Sequence, residues 1–187
     1  MLLSNYEITK PIILLNPNVS DMLPIRKWET ANFIELANQI VEFFKDVTII
    51  ITGAPSEKNA VETICKQINL PEVISLAGKT SLRELFVLYS VSDILVTNDS
   101  GPGHFSSTTD IHSIVLFGPE TPLLFGPISK NVHYIHTSLA CSPCVNAFNH
   151  RFSPCNDNLC MKLIKPKQVF DLIEKISKDN NMKVFSN

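Results

Sequence analysis

Apolar residues along the chain change their period repeatedly, and each change marks a switch between strand and helix. Ile12–Leu15, Val47–Thr52, Asp93–Thr97 and Ser113–Phe117 are short, almost unbroken apolar runs that end in turn-forming residues, the pattern of buried strands. Val73–Leu76 and Val132–His136 are shorter or weaker runs of the same kind. Between them the spacing lengthens. Phe33, Leu36, Ala37, Ile40, Val41 and Phe44 recur every three or four residues and predict an amphipathic helix over Trp28–Phe44. Further helices are expected over Ser56–Ile68, Ser81–Val91 and Pro166–Lys178, and a short one starting within Asn98–His104. Ser81 and Glu84 have the Ser-x-x-Glu spacing of a capping box. Residues 137–165 show little periodicity.

Strands alternating with helices through short connections predict an α/β fold, a Rossmann-like parallel sheet flanked by helices. A chain of 187 residues can bury one sizeable core but not two full α/β domains, so residues 1–187 are expected to form a single domain. A formal net charge of -2, with the basic residues scattered along the chain, gives no field that would gather nucleic acid. Met1–Tyr6 lacks a basic region followed by a long apolar run, and no apolar stretch approaches the roughly 20 residues needed to span a bilayer. The expected compartment is the cytoplasm, where thiols usually stay reduced.

Open parallel sheets bind ligands beyond the carboxyl ends of their strands. Three polar loops sit at such ends: 16–27, 53–57 and 98–104. In the last, Gly101 and Gly103 would let the backbone approach a ligand, helix N–H groups would face an anion such as a diphosphate, and Ser100 and His104 would add donors. The same residues also suit a tight turn in which Asp99 and Ser100 cap the helix. The run is not G-x-G-x-x-G, so the dinucleotide fingerprint is absent. Arg26 and Lys27 supply positive charge before a helix, where cations oppose the helix dipole unless an anion joins them. Glu57 stands in the first turn of its helix, where the dipole alone favours a carboxylate and where it would also reach a ribose hydroxyl. A hydrolytic triad of Asp99, Ser100 and His104 is disfavoured. The three lie within six residues and lack the G-x-S-x-G elbow.

Cys141, Cys144, Cys155 and Cys160 form two close pairs whose spacing suits a structural zinc site, with His150 as a spare ligand. Free thiols and disulfides remain the alternatives. Cys65, within a helix, reads as a small core residue.

Taken in order, several segments resemble the family 9 glycosyltransferases, the heptosyltransferases of bacterial lipopolysaccharide assembly. They are Leu14-Leu15-Asn16-Pro17-Asn18, Arg26-Lys27-Trp28, Ile51-Thr52-Gly53-Ala54-Pro55-Ser56-Glu57, Leu76-Ala77-Gly78-Lys79-Thr80-Ser81-Leu82, Asn98-Asp99-Ser100-Gly101-Pro102-Gly103-His104, Leu116-Phe117-Gly118-Pro119-Glu120-Thr121-Pro122 and Cys141-Ser142-Pro143-Cys144. The resemblance implies the C-terminal, donor-binding domain of a two-domain GT-B enzyme. It implies that Asp99, Ser100, Gly101 and His104 meet the diphosphate and sugar, and that Arg26, with Lys27 adjacent, binds phosphate. Asn18 and Val19 would lie near the phosphates, Glu57 near the ribose and Thr80 near the base. The implied donor is ADP-heptose, the acceptor is the lipopolysaccharide inner core, and the reaction inverts the anomeric carbon without a metal cofactor. The family's catalytic base and acceptor surface belong to an N-terminal domain that this sequence is expected to lack. No base is therefore assigned here, and peripheral membrane association is an expectation only for a two-domain enzyme. The alternatives are a non-catalytic nucleotide-binding module and another GT-B enzyme such as a sugar-nucleotide epimerase.

Overall fold

A computed structural model of the protein describes residues 3, 4, 6–149 and 152–182. The chain runs β1 (Ile12–Asn16), α1 (Thr30–Phe43), β2 (Thr48–Ile51), α2 (Lys58–Ile68), β3 (Val73–Ser75), α3 (Leu82–Val91), β4 (Ile94–Asn98), α4 (Gly101–Ser106), β5 (His112–Phe117), α5 (Pro122–Phe125), β6 (Val132–His136), α6 (Leu159–Lys162) and α7 (Pro166–Asp179). Among the described residues the strands form one six-stranded sheet in the order β3-β2-β1-β4-β5-β6, with every pair parallel. The Rossmann-like expectation holds.

β1 lies at the centre, with Ile13 opposite Ile49 on one side and Ile94 on the other. Every residue of β1, β2 and β4 is buried, so these strands read as continuous rather than alternating apolar runs. On one face Ile13, Leu15, Ile49, Ile51, Ile94 and Val96 meet the apolar stripes of α1, α2 and α7. On the other, Ile12, Leu14, Ile50 and Leu95 meet Leu88 and Tyr89 of α3. The capping box that starts α3 is present: Ser81 Oγ accepts the Glu84 N–H, and the Glu84 carboxylate accepts the Ser81 N–H at 2.8 Å.

The predicted elements shift where tertiary contacts capture the backbone. α1 begins at Thr30, two residues late, because Trp28 is committed elsewhere. Its N–H donates to Asn98 Oδ1 at 2.9 Å and its indole Nε1–H donates to the Ile164 carbonyl at 2.8 Å. The ring is fully buried and meets Phe33 edge-on at 4.9 Å. Residues 137–165, which lack a period, hold a 3-10 turn (Ala147–Asn149) and the one-turn α6, pieces too short to print one. Their start is pinned to the strand end, since the Cys144 and Val145 N–H groups both donate to the Pro119 carbonyl. Among the described residues no helix is long and apolar enough to cross a membrane.

Trp28→Phe keeps most of the buried ring but leaves the Ile164 carbonyl without its donor. The expected cost is about 1–3 kcal/mol, the penalty of an unpaired buried acceptor, read as a lower urea midpoint. An unchanged midpoint would remove this tether from the account of stability.

Candidate nucleotide-binding site

The sheet order places β1 and β4 side by side although their connections lead to opposite edges, so the loops that follow them diverge and leave a crevice. A cleft of about 550 Å³ opens there, within the size range of small-molecule sites. It is built from four segments far apart in sequence. Asn16, Asn18, Val19, Ser20 and Arg26 come from the loop after β1, and Thr52 to Pro55 with Glu57 from the loop after β2. Thr80, Ser81, Leu82 and Leu85 come from the start of α3, and Asp99 to Pro102 and His104 from the β4–α4 turn.

Buried asparagines hold these loops together. Asn16 Nδ2 donates to Thr52 Oγ1 at 3.1 Å and Asn18 Nδ2 to the Thr52 carbonyl at 3.2 Å, joining the first loop to the second. Asn98 Nδ2 donates to the Asn18 carbonyl at 3.3 Å while its Oδ1 receives the Trp28 N–H, joining the first loop to β4. Gly53 leaves room for this join, because a Cβ there would lie 2.8 Å from Asn18 Nδ2 and 3.1 Å from Glu57 Oε2. The Glu57 carboxylate accepts the Ala54 N–H at 2.6 Å and so shapes its own loop as well as facing the cleft.

Of the candidate residues, Asn18, Val19, Arg26, Glu57, Thr80, Asp99, Ser100, Gly101 and His104 converge on the cleft. Lys27 and Gly103 do not line it. Lys27 is exposed, whereas Gly103 is buried against Thr97, Val115 and Pro127, where it lets α4 sit close to the sheet. Neither capping role expected of the β4–α4 turn is filled. The Ser100 hydroxyl makes no cap bond and lies instead 3.2 Å from both the Asn98 carbonyl and Thr97 Oγ1. Two of the turn's positions offer a ligand no amide: Pro102 has no N–H, and Gly103 gives its own to the Ser100 carbonyl. The cleft's fixed positive charge is Arg26.

Arg26 is not free. Its Nη1 lies 3.5 Å from Asp99 Oδ2 and 3.3 Å from Glu120 Oε2, with all three side chains almost wholly buried. Burial pushes the Asp99 carboxyl up to about 7; hydrogen bonding to Glu120 adds to this and the Arg26 charge opposes it. Two carboxylates against one guanidinium would leave a buried negative charge, which retaining a proton removes. Glu120, Asn98, Asn16 and Thr52 lie in segments the sequence singled out but were given no individual role there. Glu120 follows Gly118-Pro119 at the carboxyl end of β5, the rim position that flagged the other loops.

The four-thiolate zinc site is not what the fold assembles. Among the described residues no group of three or more His, Cys, Asp or Glu side chains stands where it could hold a metal ion. Cys141 and Cys155 are exposed, Cys144 is half-buried and Cys160 is buried, and all are free thiols. Burial raises the Cys160 pKa. The reason the site does not form lies in the anchors of these cysteines. The Cys144 backbone is tied to Pro119 and its sulfur lies 3.3 Å from Ser153 Oγ, whereas Cys160 is carried by α6 and packs under Gly118. His150 lies outside the described residues. Cys65, half-buried on α2, packs against the main core as expected.

Comparison with known proteins agrees with the fold. The sequence profile of Glycosyltransferase family 9 (heptosyltransferase) matches residues 3–151. Lipooligosaccharide heptosyltransferase 2 of Campylobacter jejuni is 31% identical over 173 residues, which are 90% of this chain and 52% of the relative. The chain thus spans about half the length of this curated relative. Among solved structures, E. coli ADP-heptose lps heptosyltransferase II aligns with a TM-score of 0.77 at 19% identity, over 96% of this chain and 51% of that one. E. coli heptosyltransferase WaaC with ADP aligns with a TM-score of 0.67 at 18% identity, over 94% and 47%.

The buried carboxyl pair makes a prediction about stability. A carboxyl whose pKa is raised to about 7 on folding, from about 3.9 unfolded, stabilises fully below the unfolded value, and that stability is lost as pH rises through about 7. Asp99→Asn removes this loss. The stability of the variant relative to the parent should therefore increase between about pH 5 and pH 8, measured by urea unfolding at each pH. A constant difference would show that Asp99 ionises without strain.

Proposed function

Because this chain belongs to glycosyltransferase family 9, we propose that it is the donor-binding half of a heptosyltransferase, which receives ADP-heptose for transfer to the lipopolysaccharide inner core. The observation that carries the reading is the convergence of four loops on one cleft at the β1/β4 switch point, with Arg26 in its wall. In this reading Arg26 receives the diphosphate, with Asn18, Val19 and the Asp99-Ser100-Gly101 turn around the phosphates and His104 at the sugar side. Glu57 accepts a ribose hydroxyl, and Thr80 at the start of α3 lies at the base.

The chemistry asked of the site is electrostatic. As the glycosidic bond to the diphosphate breaks, negative charge grows on the leaving oxygen, and a guanidinium already in place stabilises it without reorganising. Inversion requires a base on the opposite face of the sugar to take the acceptor proton. No residue of this cleft is assigned that task, and the acceptor and its base are proposed to come from a second domain. The proposed transfer uses no metal, and the cytoplasm is its proposed compartment. A module that binds sugar nucleotide without transferring it uses the same residues. Release of nucleoside diphosphate in the presence of acceptor and the second domain separates the two.

The test is calorimetric titration of the chain with ADP, UDP, GDP and ADP-heptose. Selective binding of the adenine ligands is expected. Arg26→Ala should weaken ADP binding about 10- to 150-fold, the equivalent of a charge-assisted contact of about 1.5–3 kcal/mol. A folded chain that binds none of the four ligands, or an Arg26→Ala variant with parental affinity, would contradict the proposal.

A further inference from the structure

Glu120 stands just outside the cleft. It does not line the cavity, is 2% exposed, and reaches Arg26 from behind at 3.3 Å while Asp99 reaches it from the cleft side at 3.5 Å. This arrangement is over-supplied with negative charge, since a single guanidinium faces two buried carboxyl groups. It is also incompletely bonded: among the described residues, Arg26 Nε and Glu120 Oε1 are buried with no hydrogen-bond partner. Buried polar groups normally find partners, so a triad that keeps spare donor and acceptor capacity is set up for something other than stability.

We propose that Glu120 is a positioning residue that holds Arg26 toward the cleft and, with Asp99, keeps one proton that the site needs in order to receive an anionic diphosphate. The inference rests on the donor-binding reading above and names how that site is regulated. With the proton present, guanidinium, one carboxylate and one carboxyl sum to zero, and an incoming diphosphate meets a neutral, donor-rich wall. Without it the triad carries net negative charge, and the same diphosphate is opposed at short range in a poorly screened place. The raised proton affinity of Asp99, caused first by burial and next by Glu120, puts the change near neutrality. The other titratable groups facing the cleft are Glu57, whose carboxylate is held by the Ala54 N–H, and His104 on α4. His104 lines the same cleft, so a His104→Asn variant separates its contribution from that of the carboxyl pair.

The experiment uses ADP-heptose, whose diphosphate is esterified at both ends and keeps its two negative charges unchanged across the range, titrated calorimetrically into the parent, Glu120→Gln and His104→Asn between about pH 6 and pH 8.5. The parent should weaken as pH rises through about 7, approaching about tenfold per pH unit above the midpoint, the limit for one linked proton. His104→Asn should keep that slope. Glu120→Gln should move the midpoint of that fall to lower pH, because Asp99 then faces Arg26 without a second carboxylate while its burial is unchanged. Circular dichroism and thermal melting establish that each variant is folded. Buffer-dependent binding enthalpies of the parent alone should show uptake of close to one proton at about pH 8, whether or not Glu120→Gln folds. Binding that is pH-independent in the parent, or a midpoint that Glu120→Gln leaves in place while His104→Asn removes the slope, would overturn the role of Glu120 while leaving the donor site intact. Failure of the folded parent to bind at any pH would instead overturn the donor-binding reading and this inference with it.

Discussion

The reversal of strand order between β1 and β4 is the constraint from which the rest of the molecule follows. Two neighbouring parallel strands send their chains in opposite directions, and the backbone that leaves them cannot close over the gap. A crevice is therefore obligatory, and it must be lined by backbone polar groups that have lost their strand partners. The Asn98 side chain meets that need with two bonds, to the Trp28 N–H and the Asn18 carbonyl. It thereby fixes the first loop against β4 and carries Arg26 to the wall of the cleft. The cost of burying an amide side chain is offset only because both of its ends are bonded.

Electrostatic strain at the cleft and apolar packing below it are complementary. Strands buried on both faces, together with α1, α2, α3 and α7, form apolar clusters on either side of the sheet. That reserve of stability supports a rim where Arg26, Asp99 and Glu120 sit with more negative charge than positive and with unsatisfied atoms. Such local departures from the best-bonded arrangement commonly mark places built to receive something. A diphosphate leaving group brings the negative charge that Arg26 would stabilise. The proton shared by the two carboxyl groups decides how much of the guanidinium's charge is available to it.

Family membership and geometry constrain different parts of the account. The profile match speaks for the lineage of this chain and the alignment with solved heptosyltransferases for its fold. They do not supply the roles of particular side chains, which come from what surrounds the cleft. Lys27 and Gly103 show the difference: both lie in segments that resemble the family's, yet one side chain points to solvent and the other position serves helix packing. The same holds for the cysteines. Their spacing is that of a zinc site, but the backbone of Cys144 is held at the strand end while Cys160 rides on α6, and spacing alone does not bring sulfurs to one point.

What the sequence by itself determined is everything governed by short-range periodicity. The apolar runs, the three- and four-residue stripes and the Ser81–Glu84 box announced the six strands, the long helices and the parallel α/β class, because burial on a strand or a helix face imposes its period on consecutive residues. The rim rule also located the loops after β1, β2 and β4, since strand ends are visible locally. Tertiary structure decided what depends on distance between segments. It made Trp28 a plug rather than the first residue of α1, because its partners, Asn98 and Ile164, lie 70 and 136 residues away. It turned Ser100 back onto β4, left the thiols apart, and brought Glu120 behind Arg26 across 94 residues. A charge balance among three buried groups exists only once they are packed together, and no local pattern encodes it.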